Sequence, residues 1–339
     1  MLFTEDQQMI QQLARDFAES ELAPIAAEID REERIPKEII EKMAEIGFTA
    51  LNVPEEYGGP GLDTVCKVLV VSELARQCAS TAEVIAVHTL VNDIFLKHGT
   101  EAQKQKYLTA AVEGKIGAFA LTEAGAGSDA AAAKTKAVVD GDDYVINGSK
   151  CFISNMGPTE GDYVVVIALT EPEKGVKGMS AIVVDRGTPG FTVGKREEKM
   201  GIRGADISEL IFEDCRVPRS NLVGKEGEGF KIAMMALDGG RIGMAAQALG
   251  ICEAAKALIL EAAVAADNGQ PLSKLAAMCK YYASENAVWV TNKALQIHGG
   301  YGYMRDYPIE RMYRDARIVP IYEGTSEVQK MVIAREVMK

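Results

Sequence analysis

Apolar positions recur along this chain at two spacings, and the change from one to the other divides it. Near the start they fall three and four residues apart: Ile10, Leu13, Ala14 and Phe17 follow Thr4 and Gln7, a pair that reads as a capping box opening a helix. Pro36 predicts a second helix start, with Ile39, Ile40, Met43 and Ile46 on one face and Gly47 as its stop. "NVPEEYGGPGL" (52–62) is a turn-rich loop, after which helical spacing resumes and runs to "GTEAQKQKYLTAAVEG" (99–114). From residue 117 the pattern changes. "AFALTE", "KAVVD", "YVINGSKCFIS", "YVVVIAL", "MSAIVVD", "FTVGKRE" and "ELIFEDCRV" are short β-rich runs separated by Gly, Asp and Asn, the pattern of a small antiparallel sandwich or barrel. Asn147-Gly148 is a hairpin signal within them. From Gly227 the helical spacing returns. The chain therefore reads as α+β, with an N-terminal helical domain (1–116), a middle β-domain (117–224) and a C-terminal helical bundle (225–339).

Composition narrows the function. The 339 residues are 47% hydrophobic, enough for a sizeable core, and the formal net charge of −12 argues against general affinity for nucleic acid or anionic membrane. A phosphate-bearing ligand must then be held locally, by chosen Arg or Lys residues and backbone N–H groups. Six cysteines occur without a CxxC pair, and three histidines stand far apart, so neither a disulfide framework nor a metal motif is indicated. No run of 18 apolar residues and no leader segment is visible, and the expected location is the cytoplasm, with a mature protein of the mitochondrial matrix as the alternative.

Five segments carry candidate chemistry. "LTEAGAGSDAA" (121–131) is either a flexible loop or a Gly-rich surface whose amides approach a flat or phosphorylated ligand. "NGSKCFISN" (147–155) puts Phe152 and Ser154 on a facing strand, and "ALDGGRIG" (236–243) joins Asp238 and Arg241 about a Gly pair. "QIHGGYGY" (296–303) is a Gly-rich break between helices. In "PIYEGTSEVQ" (320–329), Glu323 stands between an apolar lead-in and a Gly-Thr-Ser turn, with Ser326 and Gln329 reading as the capping box of the last helix. Glu323 is a solvated turn residue on one reading, and on the other a general base raised in pKa by a dry pocket.

Together, these segments, with "VPEEYGG" (53–59), "KMGIRG" (199–204), "YPIERMYRDAR" (307–317) and "IYEGTSE" (321–327), resemble the acyl-CoA dehydrogenases over nearly the whole chain. The resemblance implies FAD as cofactor and oxidation of an acyl-CoA thioester to its trans-2-enoyl form. Glu323 would remove the α-proton while the β-hydride passes to flavin N5, with the Glu323 N–H supporting the thioester oxygen. It further implies that Phe119, Leu121, Thr122, Gly127 and Ser128 line the flavin, with Ser128 also touching the CoA portion. Phe152 and Ser154 would flank the isoalloxazine, and Thr325 and Glu327 would contact FAD. Gln296, Gly299 and Gly300 would reach the FAD of a neighbouring subunit in a homo-oligomer. Asp238, Arg241, Tyr322 and Gly324 would meet substrate. "VIAVHTLVND" (84–93) looks most like short-chain, butyryl-type members, though branched-chain and reductase-direction members stay open. Electrons would leave through an electron-transferring flavoprotein.

The chain departs from the family in one place. "GICEAA" (250–255) runs straight into "KALILEAA" (256–263), where relatives carry an Arg-x-x-Phe-Gly turn and another long helix. The missing block is about 40 residues, or roughly 60 Å of helix, and with it goes one clamp on a neighbour's FAD. Residues 241–267 read as one uninterrupted Ala- and Leu-rich helix, the alternative being a tight turn without Gly, Pro or Asn. A non-standard oligomer is expected. The competing function is a catalytically silent structural or interaction subunit.

Overall fold

The structure, a computed structural model, describes residues 3–157, 161–251 and 256–339. The first capping box forms: the Thr4 hydroxyl accepts the Gln7 N–H, and Gln7 returns a bond to the Thr4 N–H, opening α1 (Glu5–Phe17). Helices α2 (Ala26–Glu32), α3 (Lys37–Glu45), α4 (Thr64–Gln77), α5 (Ala79–His98) and α6 (Glu101–Val112) follow. α4 and α5 are buried on nearly every side, as their almost continuous apolar sequence requires. The Lys67–Asp93 ion pair (3.0 Å) ties the start of α4 to the end of α5 and makes the two antiparallel.

Strands β1 (Gly117–Ala120), β2 (Lys136–Asp140), β3 (Asp143–Ser154), β4 (Tyr163–Leu169), β5 (Met179–Asp185), β6 (Phe191–Arg196), β7 (Ile207–Pro218) and β8 (Leu222–Val223) form one sheet. Its order is β6-β7-β3-β2-β4-β5-β8, with β1 alongside β4. Most neighbours are antiparallel, while β1 and β2 both pair with β4 in parallel. The chain passes into the sheet beside α5, where the Gly117 N–H donates to Nδ1 of the buried His88 at 2.9 Å.

Asn147-Gly148 is not the hairpin turn. The β2–β3 hairpin reverses at Gly141 (φ +63°), and Asn147 and Gly148 lie inside β3. There the β3–β7 register shifts between Ile146 and Gly148. A Cβ on Gly148 would sit 2.7 Å from Oγ1 of Thr135, the residue before β2, so the glycine serves a bulge against β7 rather than a turn. The Asn147 amide crosses to Asp214, accepting its N–H at 2.8 Å.

The C-terminal bundle comprises α7 (Gly229–Ile251), α8 (Lys256–Asp267), α9 (Ser273–His298), α10 (Ile309–Ala316) and α11 (Ser326–Val337). Residues 241–267 do not form one uninterrupted helix. Gly250, near the end of α7, packs on Ser72, Ala75 and Arg76 at the end of α4, whereas Asp267, the last residue of α8, accepts the Thr64 N–H at the start of α4. α8 therefore runs back along α4, antiparallel to α7; the connection, residues 252–255, lies outside the described residues. The reason is burial. Ile259, Leu260, Ala262 and Ala263 share one core with α4, α7 and α9, a contact that a straight continuation of α7 would forfeit. A second core joins α5, α6 and the start of α7 to the sheet, and a third lies within the sheet.

Candidate active site

The turn before α11 is held in a conformation it would not choose alone. Glu323 and Gly324 take successive left-handed backbone angles, φ +54° and +88°. For a residue with a Cβ that costs on the order of 1–2 kcal/mol, so the surroundings must hold it. Gln329 Nε2 donates to the carbonyls of Glu323 and Gly324, at 3.0 Å each, and the buried Lys280 Nζ donates to the Gly324 carbonyl at 2.9 Å. Ser326 and Gln329 thus do not form the helix cap. The Ser326 hydroxyl goes to Glu285 (2.6 Å), Gln329 reaches back to the turn, and Thr325 caps α11 by accepting the Val328 N–H. The Glu323 N–H donates to no protein acceptor among the described hydrogen bonds.

The Glu323 side chain enters the seam between α5, α7 and α9. Its Oε2 is shielded from solvent and has no hydrogen-bond partner. Burial pushes the carboxyl up to about 7, with Arg241 and Lys280 pulling it down and Glu83 pushing it further up. Burial likewise lowers the Lys280 ammonium to about 8, partly offset by Glu323. Gly240 stands opposite: a Cβ there would lie 3.4 Å from Glu323 Oε2 and 2.6 Å from a Leu90 methyl, so the missing side chain leaves the carboxylate open. Asp238 and Arg241 form an ion pair on the same turn of α7, Asp238 also accepting the Ser273 hydroxyl at 3.1 Å. Arg241 keeps a shielded Nε without a partner. The Tyr322 hydroxyl donates to Gln247, whose amide donates to the Ala79 carbonyl at the start of α5.

The second wall is the end of β3. A register shift against β7 between Lys150 and Ile153 turns Phe152 outward, 67% exposed and at φ +58°. Bulges re-aim side chains in this way. Ser154, two residues on, is half-buried, its hydroxyl donating to Glu83 at 2.7 Å. Lys150, fully buried, donates to the Leu121 carbonyl (3.0 Å) and to Glu123 (2.8 Å), and the Cys151 N–H donates to the Thr122 carbonyl. Although burial pushes it up, Glu123 stays below the usual carboxylate range because Lys150 and the N–H groups of Lys134 and Thr135 surround it. These bonds fix the Gly-rich segment to β3.

Of the residues singled out in the sequence, Tyr322, Glu323, Gly324, Asp238 and Arg241 share this seam. Phe152 and Ser154 stand together, and Thr122 is pinned beside them. Leu121 and Phe119 belong chiefly to the second core, Leu121 being 7% exposed. Gly127 and Ser128 are exposed on the segment's outer face, where a Cβ on Gly127 would meet nothing. Glu327 is exposed on the first turn of α11. Gln296, Gly299 and Gly300 are exposed near the end of α9, sixteen or more residues beyond Lys280 and so about 24 Å or more along the helix from the Glu323 turn. This chain does not bring them to its own seam. Sequence reasoning missed Glu83, Glu123, Lys150, Gln247 and Lys280. Two left a signal: Lys280 lies on the face of Ala276, Ala277 and Ala283, and Glu83 interrupts an apolar helix.

Comparison with known proteins matches the chain, in order, to the acyl-CoA dehydrogenase N-terminal domain (residues 4–115), middle domain (118–215) and C-terminal domain (251–338). It is 53% identical to the acryloyl-CoA reductase (NADH) of Anaerotignum propionicum, with 99% of this chain and 95% of that protein covered. That alignment runs over 377 residues, more than the 339 of the chain itself, so it crosses a gap here. The butyryl-CoA dehydrogenase of Megasphaera elsdenii superposes with a TM-score of 0.97 at 41% identity, covering both chains fully. A chain from structural work on the electron transferring flavoprotein of Acidaminococcus fermentans gives 0.97 at 45% identity, covering 100% of this chain and 99% of that one.

Proposed function

The chain belongs to the acyl-CoA dehydrogenase family, FAD-dependent oxidoreductases acting on acyl-CoA, and from that premise we propose that it exchanges hydrogen at Cα and Cβ of a short-chain acyl-CoA thioester, with Glu323 as the group that moves the α-proton. One observation carries this reading: Glu323 Oε2 is shielded, unpartnered, and faces a helix position where glycine leaves room.

The residues fit an isoalloxazine. Phe152 offers an exposed aromatic face, Ser154 a hydroxyl two residues on, and the Gly-rich segment an outer surface where added Cβ atoms at Gly125 and Gly127 meet nothing. Phe119, Leu121, Thr122, Gly127, Ser128, Phe152, Ser154, Thr325 and Glu327 are the proposed FAD contacts, with Gln296, Gly299 and Gly300 serving a neighbouring subunit. When bound, FAD supplies the two-electron acceptor for the hydrogen leaving Cβ. The protein's part is proton chemistry and charge. A thioester α-proton is weakly acidic, so its base must be close, desolvated and poised near the working pH, and a carboxyl at about 7 meets that need. The unclaimed Glu323 N–H is a donor for the thioester oxygen as it gains negative charge. Arg241 lowers the cost of ionising Glu323, while Lys280 and Gln329 hold the turn. In the reverse direction the same oxygen returns the proton to Cα. The relative named for acryloyl-CoA reduction supports including that direction. An electron-transferring flavoprotein is the proposed electron partner, supported by the similar chain from the Acidaminococcus study.

The test is an absorption spectrum of purified protein, repeated anaerobically after addition of butyryl-CoA. A flavin band that bleaches is the expected result. Protein that stays colourless with added FAD would overturn it in favour of a silent subunit.

A further inference from the structure

Behind the Ser154 hydroxyl lies a carboxyl group that the proposed chemistry does not use. Glu83, in the first turns of α5, is 1% exposed. Its Oε1 accepts the Ser154 hydroxyl at 2.7 Å, while Oε2 is shielded from solvent and has no hydrogen-bond partner. The strand end cannot drift from α5, because the Asn155 amide donates to the Val84 carbonyl at 2.9 Å and the Gly117 N–H is held by His88. The charged and titratable groups facing Glu83 are Lys199, from the stretch after β6, and Tyr322 and Glu323, from the turn before α11. Among the described residues Lys199 is the one cation acting on Glu83, and the two make no ion pair. Burial accordingly moves this carboxyl above its usual range.

Resting on the reading that Ser154 borders the flavin ring, we propose that Glu83 is a positioning residue that couples a second proton to flavin reduction. Its Oε1 holds the Ser154 hydrogen, so that Ser154 presents a lone pair to the ring edge. When the ring takes two electrons and one proton, its added negative charge disfavours a second nearby anion, and Oε2 binds one further proton from water. Reoxidation removes the electrons and both protons. Glu323 titrates in the same range, but its contribution is common to the wild type and Glu83→Gln, so the difference between them isolates Glu83.

The experiment counts protons rather than turnovers. The midpoint potential of the FAD-loaded protein, measured from about pH 5 to about pH 9 without substrate, gives protons taken up per electron pair. The wild type is expected to exceed Glu83→Gln by up to one proton over part of that range. The amide still accepts from Ser154 but cannot titrate. Equal counts at every pH overturn the proposal. Ser154→Ala separates this from failure of the underlying reading. An unchanged flavin absorption maximum and FAD affinity in that variant mean that Ser154 does not border the ring. A shifted maximum with equal counts in the wild type and Glu83→Gln removes the Glu83 role alone.

Discussion

The C-terminal half of α7 begins beside the candidate chemistry, where Gly240 and Arg241 face Glu323; at its far end, ten residues and about 15 Å later, Gly250 lies against the backbone of α4. The near end borders the candidate chemistry and is crowded with polar groups. The far end is held by close packing, with the Gln247–Ala79 hydrogen bond one turn before it, and just beyond it the sequence departs from the family's expected pattern. Because each end is held by its own contacts, a hairpin of two helices loses length at its tip without moving its base. α8 still returns along α4 to reach Thr64, and Ser273 still meets Asp238. A missing block is therefore weak ground for a silent protein.

The largest expected difference between the two ends is in rate. Glu323→Gln should lower substrate-dependent flavin reduction by about 10²–10⁴-fold, the usual worth of a general base, while butyryl-CoA still perturbs the flavin spectrum. Stopped-flow reduction checks it, and a wild-type rate would move the chemistry elsewhere. In the wild type the rate should rise with pH through about 7 as Glu323 ionises, and this limb should vanish in the variant. The same group affects stability with a definite sign. Its folded pKa of about 7 lies above the unfolded value near 4.5, so the wild type is favoured below about 4.5 and loses that advantage as pH rises through 7. Glu323→Gln should accordingly gain up to about 3 kcal/mol relative to the wild type at pH 8, and nothing at pH 4, by urea unfolding.

The far end should respond in stability and not in rate. A Cβ on Gly250 would sit 2.3 Å from the Ser72 carbonyl and 2.5 Å from Ala75 Cβ, contacts that only backbone movement relieves. Gly250→Ala should cost about 1–3 kcal/mol of stability. Reduction per bound flavin should stay within about twofold of the wild type. A large rate loss with little unfolding would show that strain travels along α7 to Glu323, and the separation of the two ends would fail.

Which parts were legible in the sequence follows from what kind of interaction sets them. Regular elements follow from period and caps, so Thr4–Gln7, the strand runs and the Pro36 start were readable. Asn147-Gly148 misled because the same dipeptide suits a bulge as well as a turn, and the choice depended on how close Thr135 lies. Ser326 and Gln329 misled because their partners, Glu285 and the Glu323 turn, are tertiary. The helix break between α7 and α8 carries no local breaker residue. It is set by the apolar face that α8 buries against α4 and α9, which no window of α7 alone contains. Glu83 and Lys280 were visible as charges in apolar helices, but their contacts to Ser154 and Gly324 join residues far apart in sequence.

The smallest expected effect concerns what the shortened hairpin leaves uncovered. α9 starts beside Asp238, about midway along α7, and is 26 residues long, so about a dozen of its residues pass the level of the α7 tip. Trp289 and Ile297, on that overhang, are 61% and 84% exposed. In a lone chain neither supports either end of α7, so Trp289→Gln with Ile297→Ser should shift the urea midpoint by no more than about 0.5 kcal/mol and leave flavin reduction unaltered. Light scattering and flavin content measured alongside make the prediction sharp, because the proposed neighbour-facing residues Gln296, Gly299 and Gly300 share this stretch. A fall in both mass and bound FAD would mean that the overhang is covered by a second copy, and that the far end supports catalysis through another subunit's cofactor.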